Sequence, residues 1–195
     1  MRTVRYGDAD LIIQALTSAG TRVSFFARSA LKSKKRFGGG VLEPTHYVNV
    51  LYEDKSNSRA DVTLHTLKEA ELIQSFDGLR TDYERIEMAL GLLQTVSDVV
   101  REGDTDAVEL FNLLGNTLRA AETSRQLTHL RIHFEVKFLG NQGVLSPDDP
   151  EEQMLLAIPV SAHAEAPFSE PQWRQIGVRT RRALSEYVGL SSDRT

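Results

Sequence analysis

The chain has 195 residues, of which 41% are apolar and 26% are charged, and its formal net charge is −4. This composition is typical of a soluble globular protein and excludes a disordered chain. No apolar stretch approaches the ~18 residues that span a membrane, and the opening MRTVRYGDAD lacks the apolar core of a secretory signal. The absence of cysteine excludes disulfides, thiol catalysis and cysteine-ligated metals. We therefore expect a cytoplasmic protein.

The charges are unevenly distributed along the chain. Residues 1–60 contain ten Lys/Arg and five Asp/Glu, whereas residues 61–195 contain 13 and 22. The acidic total argues against a basic coat over the whole surface. The asymmetry nevertheless indicates one region suited to a polyanion and another region with a different role.

The first part of the chain has the pattern of β-structure. Runs rich in β-branched and aromatic residues are separated by turn residues and a polar loop, and they cover residues 10–17, 21–27, 46–52 and 61–73. Several short strands within about 75 residues favour a small closed barrel, because closure removes exposed strand edges.

Beyond residue 80 the apolar residues recur at helical spacing. Asp82 is expected to cap a first helix, whose apolar stripe consists of Ile86, Leu90, Leu93, Val96 and Val100. A second helix is predicted over residues 104–121. Both segments favour an α-helical region that follows the strands.

Two further helices are predicted towards the end of the chain. Thr123 or Ser124 is expected to cap a third helix, which ends at Gly140. Ser169 opens the last helix, with Pro171 in its first turn. The sequence thus predicts an α+β protein.

The predicted division has two domains. Residues 1–78 form a basic β-rich domain and residues 79–195 form an acidic helical domain, with an acidic, proline-containing linker near 145–152.

None of the candidate catalytic or metal-binding patterns is convincing. Gly38–Gly40 lacks the Gly-Lys-Ser/Thr that completes a P-loop, and the pair His129 and His133 lacks a third metal ligand. A catalytic pair of carboxylates needs a rigid pocket, which a solvated linker does not provide for Asp148, Asp149, Glu151 and Glu152. We therefore predict no active site, no metal and no cofactor.

A basic run before the three glycines is the strongest functional signal. It contains five cations within nine residues and an adjacent aromatic ring, namely Arg28, Lys32, Lys34, Lys35, Arg36 and Phe37. Cations neutralise phosphates, and an aromatic ring can stack on an unpaired base. The alternative interpretation is a solvated loop whose charges serve solubility.

The order of several motifs resembles the RecO family of recombination mediators. YGDADLIIQALTSAG is similar to the opening of that family, and FFARSALKSKKRFGGGVLEP to its next strand, basic loop and Leu-x-Pro. HTLKEAELIQSFDGLRTDYERIEMA resembles a further series of family residues, and FEVKFLG and RRALSEYVGL are weaker matches.

This resemblance implies an OB-fold barrel followed by a helical domain, without catalytic residues. It also implies binding of single- and double-stranded DNA, annealing of complementary strands, and contacts with RecR and with the C-terminal tail of single-strand binding protein (SSB). Through these contacts the family helps to load RecA, which implies a nucleoid-associated protein in the cytoplasm.

Two features depart from the family pattern. Many members carry a four-cysteine zinc motif after a Leu-Gly, but no cysteine follows Leu139 and Gly140 here. The family also has a further strand before the Tyr-Gly motif, whereas only MRTVR precedes Tyr6. We therefore expect no zinc and a short first strand.

Arginines of the helical region are candidates for a second contact. Three that lie near the apolar stripes of the second and third helices could form the rim of a groove for the acidic SSB tail, namely Arg119, Arg125 and Arg131. Three on the last helix could extend the DNA path, receive an acidic tail or be a solvated face, namely Arg179, Arg181 and Arg182.

The residues alone are also compatible with two other functions. The protein could be an interaction adaptor whose barrel binds protein, or an RNA-binding OB protein, because OB barrels accept either nucleic acid.

Overall fold

A computed structural model describes residues 2–55, 63–100, 107–145 and 149–192, the side chains of 190–192 excepted. The chain divides into two compact units. The strand unit consists of Met1–Phe76 and Val100–Val108, and the helical unit consists of Asp77–Val99 and Glu109–Thr195.

The strand unit contains a five-stranded sheet. Its strands are β1 (Arg2–Tyr6), β2 (Asp10–Leu16), β3 (Arg22–Ala27), β4 (Tyr47–Glu53) and β5 (Leu64–Gln74). They lie in the order β1-β2-β3-β5-β4, in which β3 and β5 are parallel and the other pairs are antiparallel. The result is an OB-like fold, as predicted, and β1 is a short strand of five residues. Because β1 and β4 are the end strands of this order, the pairings among the described residues form an open sheet and do not show the predicted barrel closure.

Alternation along the strands places one set of side chains in the core. Leu11 pairs with Ala27 and Ile13 pairs with Phe25, and all four side chains are buried. Side chains of β2 and β3 at the intervening positions point to the other face of the sheet, because successive residues of a strand alternate between faces.

Residues after the first helix of the helical unit complete the strand unit. Arg22 donates Nη1–H to the carbonyl of Val100 at 3.3 Å. Gly20 lies so close to Ala107 and Val108 that a Cβ would collide with their backbone, and its φ of +78° also requires glycine. A segment distant in sequence therefore belongs to this core.

The long helices follow the predicted apolar periods. The helices are α1 (Lys34–Phe37) in the strand unit, and then α2 (Tyr83–Val99), α3 (Val108–Ala121), α4 (Leu127–Asn141), α5 (Pro150–Ala157) and α6 (Glu170–Ser192). Asp82 Oδ1 accepts the Glu84 N–H at 2.9 Å, which confirms the predicted cap of α2. Positions 104–106, predicted to begin the second helix, lie outside the described residues.

Two details of the helix predictions are wrong. Leu90 is 44% exposed, because the buried face of α2 contains Met88, Ala89 and Leu92 instead. The N-cap of α4 is Gln126 rather than Thr123 or Ser124. Ser124 accepts the Gln126 N–H in the turn before the helix, and its hydroxyl also contacts His163 Nε2 at 2.7 Å.

The predicted acidic linker is helical in its last part. Asp149 caps α5 by accepting the N–H groups of Glu151 and Glu152, and Pro150 is the first residue of that helix. The core of α4, α5 and α6 contains Ile132, Val136, Leu155, Trp173 and Ile176.

Candidate nucleic-acid interface

The basic segment, defined here as residues 28–37, has a fixed path along the strand unit. Ser29 donates its N–H to Asp10 Oδ1 at 2.6 Å, and Leu31 donates its N–H to the carbonyl of Ala9 at 3.0 Å. Ser33 caps the short helix α1 by accepting the Arg36 N–H at 3.4 Å. These bonds fix the backbone from which the charged side chains extend.

Four of the five predicted cations are exposed to solvent, and they are Arg28, Lys32, Lys34 and Lys35. Within residues 2–55, 63–100, 107–145 and 149–192, no carboxylate forms an ion pair with the three lysines. An ammonium group without a protein partner can bind a phosphate without first breaking an internal bond. These lysines therefore form an accessible cationic surface.

Arg36 differs from the other cations of the segment. It donates Nη2–H to the Arg28 carbonyl at 2.9 Å and Nε–H to Ser33 Oγ at 3.2 Å. Its guanidinium also lies 5.1 Å from the centre of the Phe37 ring. Arg36 thus stabilises the fold of the segment, and its remaining N–H groups are the part available to a ligand.

The structure contradicts the predicted stacking role of Phe37. Its side chain is only 6% exposed and belongs to the core cluster with Leu11, Phe25 and Val41. A base cannot reach a ring that the core already covers. The prediction failed because a single aromatic residue in a charged run gives no signal of the direction in which it points.

Two cations of β1 were missed by the sequence argument. Arg2 and Arg5 are both exposed, and Arg5 lines a groove of about 480 Å³ together with Lys34, Leu31 and Glu43. The available signal was only the charge itself, because arginine side chains are rarely fully buried, and alternation places these two on opposite faces of β1. The cationic surface therefore extends from the basic segment to β1.

The six arginines named in the helical region do not form one site. Arg131 pairs with Glu135 at 2.9 Å, Arg182 pairs with Glu186 at 3.0 Å, and Arg179 contacts the carboxylates at the start of α5. Arg119 lines one groove of about 510 Å³, whereas Arg125 and Arg181 line another of about 550 Å³.

The groove of Arg125 and Arg181 has a mainly cationic lining. Arg85 and Arg174 add two more cations, and the acidic lining residues are Asp82, Glu84 and Glu170. Ile132 and Trp173 lie at its base but are buried in the core. The arrangement can receive a ligand that carries carboxylates.

The two histidines of α4, His129 and His133, contact different residues. His129 stacks on Trp173 with ring centres 4.6 Å apart, and its Nε2 lies 3.2 Å from Glu170. His133 is fully buried with Nε2 at 2.8 Å from the Leu155 carbonyl, and burial lowers its pKa to about 4. Among the described residues, no group of three or more His, Cys, Asp and Glu is placed to hold a metal ion.

In the part of the chain that the structure describes, no helix combines the length and apolar character needed to cross a membrane.

Comparisons with known proteins agree on one family. Residues 1–76 match the domain family described as the N-terminal part of recombination protein O. DNA repair protein RecO of Desulfosudis oleivorans is 32% identical over 145 residues, which is 74% of this chain and 54% of the relative. RecO of Syntrophobacter fumaroxidans is 30% identical over 145 residues, covering 74% and 55%. RecO of Alkaliphilus metalliredigens is 30% identical over 146 residues, covering 74% and 56%.

The chain thus matches about half the length of these relatives, and the match extends from the OB-like strand unit into the helices. The fold, the cationic surface and the relatives agree: this chain belongs to the RecO family of DNA repair proteins.

Proposed function

We propose that the chain is a non-enzymatic mediator of DNA repair that binds single- and double-stranded DNA and anneals complementary strands. The observation that carries this proposal is the set of three exposed lysines, Lys32, Lys34 and Lys35, on a segment with a fixed path. A cationic surface screens the repulsion between two phosphate backbones. It leaves the base edges free to pair, because phosphate contacts do not read sequence.

The test compares two triple variants of the basic segment. Replacing Lys32, Lys34 and Lys35 with alanine should make the slope of log K against log[salt] on single strands shallower by up to about 2, since each contact contributes about 0.7. The matched variant with three arginines keeps the charge and should keep the slope. Annealing should fall only in the alanine variant. A wild-type slope in the alanine variant would contradict the proposal.

The same experiment separates the two alternatives. An interaction adaptor would show no salt-dependent binding of nucleic acid, and an RNA-binding protein would prefer an RNA strand over the DNA strand of the same sequence. Strand annealing measured with DNA and RNA oligonucleotides therefore decides between the three functions. The similarity to DNA repair protein RecO favours DNA mediation.

The proposal also includes partner proteins. We infer that the groove lined by Arg125 and Arg181 receives the acidic tail of SSB, because its lining contains four arginines and three carboxylates. The earlier set of Arg119, Arg125 and Arg131 is revised accordingly, since those side chains line different surfaces. Contact with RecR and indirect help in loading RecA complete the proposed role, at the nucleoid in the cytoplasm.

Charge reversal tests the tail groove. Arg125→Glu and Arg181→Glu should each weaken binding of an SSB-tail peptide and leave the affinity for naked DNA unchanged. Arg182→Glu is the matched control, because Arg182 is an exposed arginine of the same helix as Arg181 and does not line this groove. If the peptide binds all three variants like the wild type, the tail site lies elsewhere.

A further inference from the structure

Tyr6, the last residue of β1, has an aromatic ring that is largely exposed to solvent. It is 59% exposed, and its neighbour Val4 on the same face of the strand is 42% exposed. Arg5 pairs with the inward-facing Leu11, so the alternation of β1 places Val4 and Tyr6 on the outer face of the sheet. Val4 and Tyr6 thus form a small apolar patch on a sheet face that is open to solvent.

The ring of Tyr6 packs against a second aromatic ring of the sheet. Phe26 contacts it with ring centres 6.0 Å apart and an angle of 84° between the planes. Ile12 pairs with Val4 on one side and with Phe26 on the other, so it lies between them on the same face. An edge contact of this kind orients a ring and leaves much of its surface free.

One exposed arginine lies on this face of β1 and another lies at the same end of the sheet. Residues 2–42 contain eight Lys/Arg and only two acidic residues, Asp8 and Asp10. Asp10 accepts the Ser29 N–H, and Asp8 lies exposed in the turn after β1. Arg2 is exposed on the same face as Tyr6, and Arg28 is exposed just beyond the end of β3. This balance favours a polyanion over an acidic or neutral partner.

We propose that Tyr6 stacks on an unpaired base of single-stranded nucleic acid whose phosphates the exposed cations hold. The proposal rests on the proposed function and supplies the stacking residue that Phe37 cannot be. Every base has a π-face, so a tyrosine platform adds affinity without selecting a sequence. In a duplex the faces of the bases are covered by their neighbours, so the contribution of Tyr6 is specific to single strands.

The experiment measures binding of a labelled oligothymidylate longer than the roughly 16 nucleotides that an OB fold covers. Tyr6→Ala should weaken this binding by about 5- to 150-fold, the range expected for one stacked base. Tyr6→Phe keeps the ring and should bind like the wild type. The salt slope and the affinity for duplex DNA should be unchanged in both variants. Tyr83→Ala is the matched control, because Tyr83 is an exposed tyrosine of the helical unit.

The outcomes separate this proposal from the function on which it rests. Wild-type affinity in Tyr6→Ala, with a shallower salt slope in the lysine variant, would overturn the stacking role and leave DNA binding in place. Loss of a protein partner by Tyr6→Ala with unchanged DNA affinity would equally overturn it, since the patch would then be a protein-docking surface. Photocrosslinking of a 5-iodouracil oligonucleotide gives a second readout, and a crosslink at Tyr6 is the expected product.

Discussion

Phe37 connects the charged exterior of the basic segment to the core of the strand unit. Its backbone lies at the end of α1, directly after Arg36, while its ring is buried with Leu11 and Val41. Burial of one aromatic ring therefore positions the cations before it. A substitution here should act on stability first and on DNA binding as a consequence.

We expect Phe37→Ala to lower the free energy of unfolding by about 3–5 kcal/mol, because it leaves a cavity in the core. Phe37→Leu should cost less, since it refills part of that volume. Urea unfolding followed by far-UV circular dichroism measures both. An alanine variant with the wild-type midpoint and weakened single-strand binding would instead restore the stacking role.

His133 makes the helical unit sensitive to acid. Burial lowers its pKa from 6.5 to about 4, so the folded protein keeps it neutral while the unfolded chain takes up a proton between these values. The contribution of His133 to the free energy of unfolding is therefore fully present above pH 6.5 and decreases as the pH falls towards 4. The loss amounts to about 3 kcal/mol when both states are protonated. Burial also lowers the pKa of His163, which acts in the same direction.

We expect His133→Gln and His133→Leu to reduce the loss of stability between pH 6.5 and pH 4. Gln keeps an N–H donor for the Leu155 carbonyl, whereas Leu leaves that acceptor without its partner. The Leu variant should therefore be the less stable of the two at pH 7. Urea midpoints at several pH values measure this, and a wild-type pH slope in both variants would contradict it.

At the scale of secondary structure, one arginine of α6 holds the start of α5. Arg179 Nη2 lies 3.0 Å from Asp149 and 3.1 Å from Glu151, and its Nε lies 3.7 Å from Glu152. Glu152 is buried, and its pKa is raised mainly by this burial, with Arg179 acting against the rise. The ion pairs thus bring together residues that are about 30 positions apart.

Arg179→Ala should destabilise the protein by about 1–2 kcal/mol at pH 7, because Glu152 remains buried without its cation. The deficit should shrink on acidification, since protonation removes the charge of Glu152 below its raised pKa. Arg182→Ala is the control on the same helix, because its pair with Glu186 is exposed and should contribute less than about 1 kcal/mol. Equal losses in the two variants would contradict this account.

For the whole molecule, the uneven charge distribution limits how strongly salt can affect binding. The exposed cations of the first 35 residues are Arg2, Arg5, Arg28, Lys32, Lys34 and Lys35. If all six contact phosphates, the slope of log K against log[salt] on single strands should be about −4. The slope is measured by titration at several salt concentrations. A value beyond about −8 would exceed what all 12 Lys/Arg of the strand unit can contribute. It would require cations of the helical unit, such as Arg125 or Arg181, and would contradict a site confined to the strand unit.

The sequence predicted the classes of structure better than the contacts within them. Helical periods identified α2, α3, α4 and α6, because a buried face repeats every three or four residues. The OB-like unit followed from strand composition and from the family resemblance. The parallel pairing of β3 with β5 carries no local signal, since it joins residues about 40 positions apart.

Only part of the candidate site was predicted, because contacts between distant residues leave no local signal in the sequence. Lys32, Lys34 and Lys35 are exposed as a charged run suggests. Phe37 is instead buried in the core, and Arg36 is engaged by hydrogen bonds to Arg28 and Ser33. Composition alone cannot distinguish these neighbours. Tyr6 was passed over because its exposure depends on the register between β1 and β2, which the sequence does not specify.

The contribution of Val100–Val108 to the strand unit has a consequence for synthesis on the ribosome. All five strands have been made by Gln74, but the contacts of Arg22 with Val100 and of Gly20 with Ala107 need about 30 further residues. At roughly 5–20 residues per second, that delay is about 2–6 seconds, during which α2 emerges first. The nascent strand unit therefore remains incomplete while part of the helical unit is already available to fold.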